Sequence, residues 1–195
     1  LNKAIEETRH ARHDMRHHLS ILNSFVKRKD WAGLENYLSK MSKSIPSSEL
    51  KLCENNAIDG VAGHYYHRYK DLEIPCVFKL ELPKELSVSE IDICIVLSNL
   101  LEYALEASMR TAPDKRRITV FARMHSDNVV LIKVENFYNG VVKEKNGIIE
   151  SSKHSGEGIG TQSVRRIAEK GGGYCRFTQK DGIFPADVML RGNSK

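Results

Sequence analysis

The sequence predicts an α+β protein: an N-terminal helical hairpin, then an α/β layered domain whose mixed sheet carries three helices on one face. Three observations predict it. The first 29 residues contain neither proline nor glycine, and a second amphipathic segment follows at once. From residue 55 onward helical and strand-like patterns alternate, the ordering of a layered α/β domain. Late in the chain Gly156, Gly158 and Gly160 run straight into another amphipathic segment. Glycines there let the backbone approach a ligand closely, and the helix aims its unpaired N–H groups at the same point.

In order, residues 1–29 place Ile5, Met15, Leu19, Leu22 and Val26 at mixed steps of three and four, one long helix with an apolar stripe. Asp30 is an N-cap for a second helix over 31–44, with Trp31, Leu34, Leu38 and Met41 on one face and Pro46 as a stop. Such a hairpin cannot bury both stripes alone, so it is expected to dimerise into a four-helix bundle or to dock elsewhere. The domain boundary falls near residues 45–48, giving a hairpin over 1–47 and a second domain over 48–195. In that domain 55–70 reads as a helix, 75–82 as a strand and 89–109 as a long helix with a strongly apolar face. Segments 117–124 and 128–135 are strands of β-branched residues around a turn at Ser126, Asp127 and Asn128. Residues 137–155 read as a loop, and one of that length is usually functional or mobile. The glycine segment opens a helix in which Val164, Ile167 and Ala168 keep helical spacing, and Gly171, Gly172 and Gly173 supply its C-cap. A hairpin over 174–180 and 183–190 turns at Asp181 and Gly182.

Composition bounds the function. An apolar content of 41% with 28% charged residues is ordinary for a globular protein. The formal charge of +5 is scattered, with no basic run interleaved with aromatics, which argues against nucleic-acid binding. Cys53, Cys76, Cys94 and Cys175 form no CxxC pair and read as small core residues in a reducing compartment. No run reaches membrane-spanning length and no signal peptide is visible. Because the chain opens at Leu1 inside a helical pattern, it is expected to be a fragment of something longer.

Three segments carry chemistry. In RHARHDMRHHL, His10, His13, His17 and His18 surround Asp14. Histidine is available as a neutral nucleophile near neutral pH, and an adjacent carboxylate can orient the ring. Arg9, Arg12 and Arg16 could pair with an incoming phosphoryl group. Two plainer readings compete: a metal pair at His13 and His17, for which no third ligand is evident, or a solvated basic face. In SNLLEYALEAS, Asn99, Glu102, Tyr103 and Glu106 share a helical face. That face could hold Mg²⁺ or a water against a triphosphate, or simply be a polar outside. In VENFYNG, Asn136 offers a donor and an acceptor suited to a purine edge, or is a strand-end turn residue.

Together and in this order, RHDMRHHL, LSNLLEYALEAS, VENFYNG and SGEGIGTQSVRRIAEKGGG resemble the catalytic core of bacterial sensor histidine kinases of the GHKL ATPase superfamily. The branch they are most similar to is the peptide-quorum-sensor type with Spo0B-like dimerisation helices. The resemblance implies a GHKL (Bergerat) sandwich after a dimerising phosphotransfer hairpin, with ATP and Mg²⁺ as cofactors. It implies that His13 attacks the γ-phosphate with Asp14 assisting the proton. It places Asn99 nearest the reacting phosphate and the metal, Asn136 on the adenine amino group, and Lys153 on the terminal phosphates. Gly156, Gly158 and Gly160 would shape the hinge of the nucleotide lid. The implied partners are a second copy of the chain and a response-regulator receiver domain. The implied location is the cytoplasmic side of a bacterial cell membrane, reached only through a sensor region absent from this sequence. One departure stands out. The family carries a second, Mg²⁺-ligating Asn four residues after Asn99, and here that residue is Tyr103. A neutral phenol is a poor ligand for a cation that favours compact oxygen donors. The rival reading is therefore a degenerate kinase that binds nucleotide or a partner without efficient transfer. A phosphotransfer protein lacking ATP is opposed by GEGIG, and a mismatch-repair or gyrase-type ATPase by the histidine hairpin.

Overall fold

The computed structural model describes residues 2–41, 51–138, 144–145, 148–149 and 159–192. The chain divides into two compact units, Leu1–Ser47 and Ser48–Lys195.

The first unit is α1 (Asn2–Arg28) and α2 (Trp31–Met41). Their tight joint is set by residues 25–33. Lys29 takes a left-handed φ of 54°, and Asp30 N–H donates to Phe25 O while Lys29 N–H donates to Val26 O, a Schellman closure of α1. Asp30 then caps α2 by accepting from Gly33 N–H at 2.9 Å. A Cβ on Gly33 would lie 2.7 Å from the Phe25 ring, so the glycine permits the close turn. Between the helices, His18 Nδ1 and Tyr37 Oη are 2.7 Å apart, and the Phe25 and Tyr37 rings pack at 5.8 Å. Met15, Leu19, Val26, Trp31 and Met41 stay largely exposed within this unit.

The second unit is a five-stranded mixed sheet in the order β1-β2-β3-β7-β6, with α3, α4 and α5 packed on it. Its elements are α3 (Asn56–Asp71), β1 (Cys76–Glu81), α4 (Glu90–Met109), β2 (Ile118–Ser126), β3 (Val129–Phe137), α5 (Ile159–Lys170), β6 (Tyr174–Phe177) and β7 (Ile183–Arg191). β1 pairs parallel with β2 across the α4 crossover, and the other pairings are antiparallel. Alternation selects the faces. Ile118, Val120, Val130, Ile132, Val134, Val188 and Leu190 are buried against the helices, while Thr119, Phe121, Lys133 and Asp187 lie on the opposite, less covered face. That open face holds a shallow groove of about 360 Å³ lined by Lys79, Phe121, Lys133 and Arg176. α4 is the centre of the core, with Ile93, Val96, Leu97, Leu101 and Ala104 buried.

Local signals explain the ends. Asn55 caps α3 by accepting from Ala57 N–H and Ile58 N–H, and Ser89 caps α4 through Asp92 N–H. Gly172 has a φ of 73°, and Gly173 N–H returns to Ala168 O at 2.8 Å. The β6–β7 connection turns at Asp181 and Gly182 with φ of 53° and 76°, both positive as a type I′ turn requires. Two departures from the expected pattern matter. β3 runs on to Phe137, so Asn136 pairs inside the sheet with Ile118 and Phe184 instead of ending a strand. Within the expected loop, β4 (Glu144–Lys145) and β5 (Ile148–Ile149) form a small antiparallel ribbon. A two-residue strand is too short to show a period-2 pattern. No helix among the described residues is long and apolar enough to cross a membrane.

Two glycines should respond oppositely to alanine. Gly60 is exposed in α3 with nothing within 4 Å of a built Cβ, so Gly60→Ala should stabilise by about 0.5–1 kcal/mol through helix propensity. At Gly173 a Cβ would run into the Met189 carbonyl and lie 3.1 Å from Ala168 O. Gly173→Ala should lower the urea midpoint, and equal midpoints for the two variants would contradict this packing.

Candidate functional site

The polar side of α4 meets the first turn of α5. Asn99 Nδ2 donates to Ile95 O at 2.7 Å, which turns its Oδ1 outward. A Cβ on Gly160 would lie 2.5 Å from that Oδ1 and would collide with the Tyr103 hydroxyl. Asn99, Tyr103 and Gly160 therefore converge on one spot at the N-terminus of a 12-residue helix, whose positive dipole end favours an anion. Gly156, Gly158 and Lys153 lie outside the described residues.

Glu102 faces elsewhere. Its Oε2 accepts from Tyr65 Oη at 2.9 Å and from Arg68 Nη1 at 2.6 Å, tying α4 to α3. Burial, followed by this hydrogen bond, pushes the Tyr65 phenol well up, and the same carboxylate holds the Arg68 guanidinium above its ordinary value. A carboxylate so engaged is not a spare ligand for a cation at Asn99. Among the described residues, the oxygens that a Cβ on Gly160 would meet are the Asn99 amide oxygen and the Tyr103 phenol. Mg²⁺ is often held by one or two protein oxygens, with phosphates and waters completing the shell. A metal held through Asn99 fits the residues described, and among them no cluster of three His, Cys, Asp or Glu offers another cation site.

Asn136 is 5% exposed on the helix-facing side of β3, and its Nδ2 donates to Phe137 O at 2.9 Å. The sequence reading missed its surroundings. Thr111, just past the end of α4, directs Oγ1 to Ala107 O at 3.0 Å and to the same Phe137 carbonyl at 3.4 Å. Ser108 is fully buried one turn earlier. The signal was available: Ser108 occupies an apolar position of the helix, in step with Leu97, Leu101 and Leu105.

In the first unit His13 and His17 are exposed on α1, and His18 is partly buried against Tyr37. Among the side chains described, the cluster therefore splits, His18 serving the hairpin and His13 and His17 facing out. Asp14 lies within α1. The four cysteines are free thiols, and burial pushes the pKa of each up, as expected of unreactive core sulfur.

Solved structures of similar fold include histidine kinases. The catalytic domain of histidine kinase ThkA aligns with a TM-score of 0.55 and 17% identity, covering 76% of this chain and 97% of that one. The Acinetobacter baumannii histidine kinase AdeS aligns with a TM-score of 0.52 and 13% identity, covering 93% of this chain and 98% of that one. ThkA in complex with the response regulator protein TrrA aligns with a TM-score of 0.52 and 16% identity, covering 96% of this chain and 61% of that one. At such identities the likeness is one of fold. No curated protein matches the sequence. A GHKL domain model matches residues 88–191, from the residue before the α4 cap to the end of β7. It takes in the Asn99 face of α4, Asn136 and the glycine segment together. With more than half of its length matched and the fold in agreement, the chain belongs to the GHKL domain family.

Proposed function

We propose that this chain is the core of a sensor histidine kinase, with residues 1–47 as a dimerising phosphotransfer hairpin and 48–195 as the ATP-binding domain. The observation that carries the reading is the convergence of Asn99 and Gly160 at the α5 N-terminus within a GHKL-matched segment. In the proposed reaction the His13 imidazole forms a P–N bond to the γ-phosphorus as the bond to the bridging oxygen breaks and ADP leaves. Asp14 assists the proton, and the phosphoryl group then passes to an aspartate on a response-regulator receiver domain. Mg²⁺, held through Asn99, would neutralise charge on the phosphates. Asn136 takes the adenine amino group, Lys153 the terminal phosphates, and Gly156 and Gly158 the hinge of the lid. The hairpin is of the Spo0B-like kind in the peptide-quorum-sensor branch, and the core lies on the cytoplasmic side of a membrane-anchored sensor.

One observation favours a second reading. The Tyr103 phenol stands against Gly160 where the family places its metal-binding amide. A site short of one metal ligand binds nucleotide yet transfers the phosphoryl group slowly, which describes a degenerate kinase acting through conformation.

With γ-labelled ATP and magnesium, label should appear on His13 and vanish in His13→Gln. Tyr103→Asn should raise the rate by roughly 10- to 100-fold, the scale on which changes around a bound metal alter activity. Label on wild type with no gain in Tyr103→Asn removes the case for degeneracy, and no label in either protein overturns the kinase reading. The exposed Met15, Leu19, Val26 and Trp31 support a four-helix dimer. Light scattering should give a dimer for the full chain and a monomer for Leu19→Glu, and a wild-type monomer at micromolar concentration would refute the assembly.

A further inference from the structure

Asn99 and Tyr103 lie one turn apart on the polar side of α4, and they meet the start of α5 with opposite chemistry. Asn99 turns its amide nitrogen back on its own helix, donating to Ile95 O at 2.7 Å, so the atom it sends toward Gly160 is Oδ1. A carboxamide oxygen only accepts: it attracts a cation and repels the oxygen of a phosphate. Glu102, between them in sequence, is turned to Tyr65 and Arg68 on α3.

Tyr103 supplies what Asn99 lacks. A helical side chain leans toward the N-terminus of its own helix, which brings the Tyr103 ring toward the Asn99 turn. A Cβ on Gly160 would collide with the Tyr103 hydroxyl, lie 2.9 Å from its Cζ and lie 2.5 Å from Asn99 Oδ1. The two oxygens therefore reach one point. A phenol O–H can donate, and a hydrogen bond to an ionised oxygen is about twice as strong as one between neutral groups. Both side chains are half-buried, so a ligand can reach them while the partial cover strengthens the bond.

We infer that Tyr103 is a phosphate-binding residue: its hydroxyl donates to a non-bridging oxygen of the nucleotide's polyphosphate, while Asn99 Oδ1 is left for a cation. The inference rests on the nucleotide reading above and adds to it a division of labour between two neighbouring side chains. An amide at position 103 would act on the phosphates through a metal; the phenol acts on them directly. Anchoring the phosphates then does not require Mg²⁺, and a nucleoside without phosphates gains nothing from Tyr103.

Calorimetric titrations of the full chain with ATP and with adenosine, each in magnesium and in EDTA, test this. Wild type should bind ATP in EDTA within about threefold of its affinity in magnesium. Tyr103→Phe keeps the ring and removes the donor, so ATP affinity in EDTA should fall about 10- to 100-fold, the worth of a hydrogen bond to a charged group. Adenosine affinity should not change. Tyr103→Asn should bind ATP as weakly as Tyr103→Phe in EDTA and recover in magnesium, and it reports on the hydroxyl even if Tyr103→Phe folds poorly. A wild-type chain that loses ATP in EDTA, variants that match wild type there, or variants that lose ATP and adenosine alike overturn the inference while nucleotide binding stands. A wild-type chain that binds neither ligand in either buffer overturns the nucleotide reading, and this inference with it.

Discussion

Because Gly160 carries no Cβ, the first turn of α5 can lie directly on Asn99 and Tyr103 of α4, and much of the second unit is arranged to hold that approach. α4 is buried along its other side by the sheet and cannot shift to relieve a clash. α5 is anchored at its far end, where Gly173 passes close to the Met189 carbonyl on β7. A glycine at the near end and a glycine at the far end thus bring one helix into a slot that any side chain would widen.

The Glu102 contacts show how α4 is held from its other flank. Arg68 and Glu102 are each 39% exposed, so as an ion pair they contribute only about 0.2–1 kcal/mol. The Tyr69 hydroxyl, which donates to Leu101 O at 2.8 Å, fixes the helix pair more firmly, because that buried phenol has no water to return to. The effect is orientational. With α3 clamped to one side of the polar face, Asn99 and Tyr103 are presented to α5 as a rigid pair.

Helical periodicity and turn chemistry made the architecture legible: both helices of the hairpin, the Asp30 cap and the Asp181-Gly182 turn follow from local residues. The β4–β5 ribbon was not legible, because two-residue strands carry no pattern. The position of Asn136 inside β3 was also obscure, since NFYNG reads locally as a turn while cross-strand pairing with Ile118 and Phe184 decides otherwise. In the site, the residues on one helical face could be named from spacing alone. What spacing could not give was the partner of each: Glu102 and Tyr103 are adjacent in sequence, yet one turns to α3 and the other to α5. Thr111 and Asn136, remote in sequence, meet at the Phe137 carbonyl, and only the fold of α4 over β3 brings them together.

The parallel pairing of β1 has a consequence in time rather than in space. β2 and β3 are joined by a two-residue turn and can close on each other locally, whereas Cys76 finds its partner Ile118 only after the whole of α4 has been traversed. Closing that longer loop carries an entropy penalty that the hairpin avoids. On this ground the N-terminal edge of the domain is expected to join late in folding and to open before β3. Native-state hydrogen exchange should then find β1 amides opening at lower free energy than those of β3. Since α3 packs on that edge and holds Glu102, such an opening would release one side of α4 while the sheet beneath it stays intact.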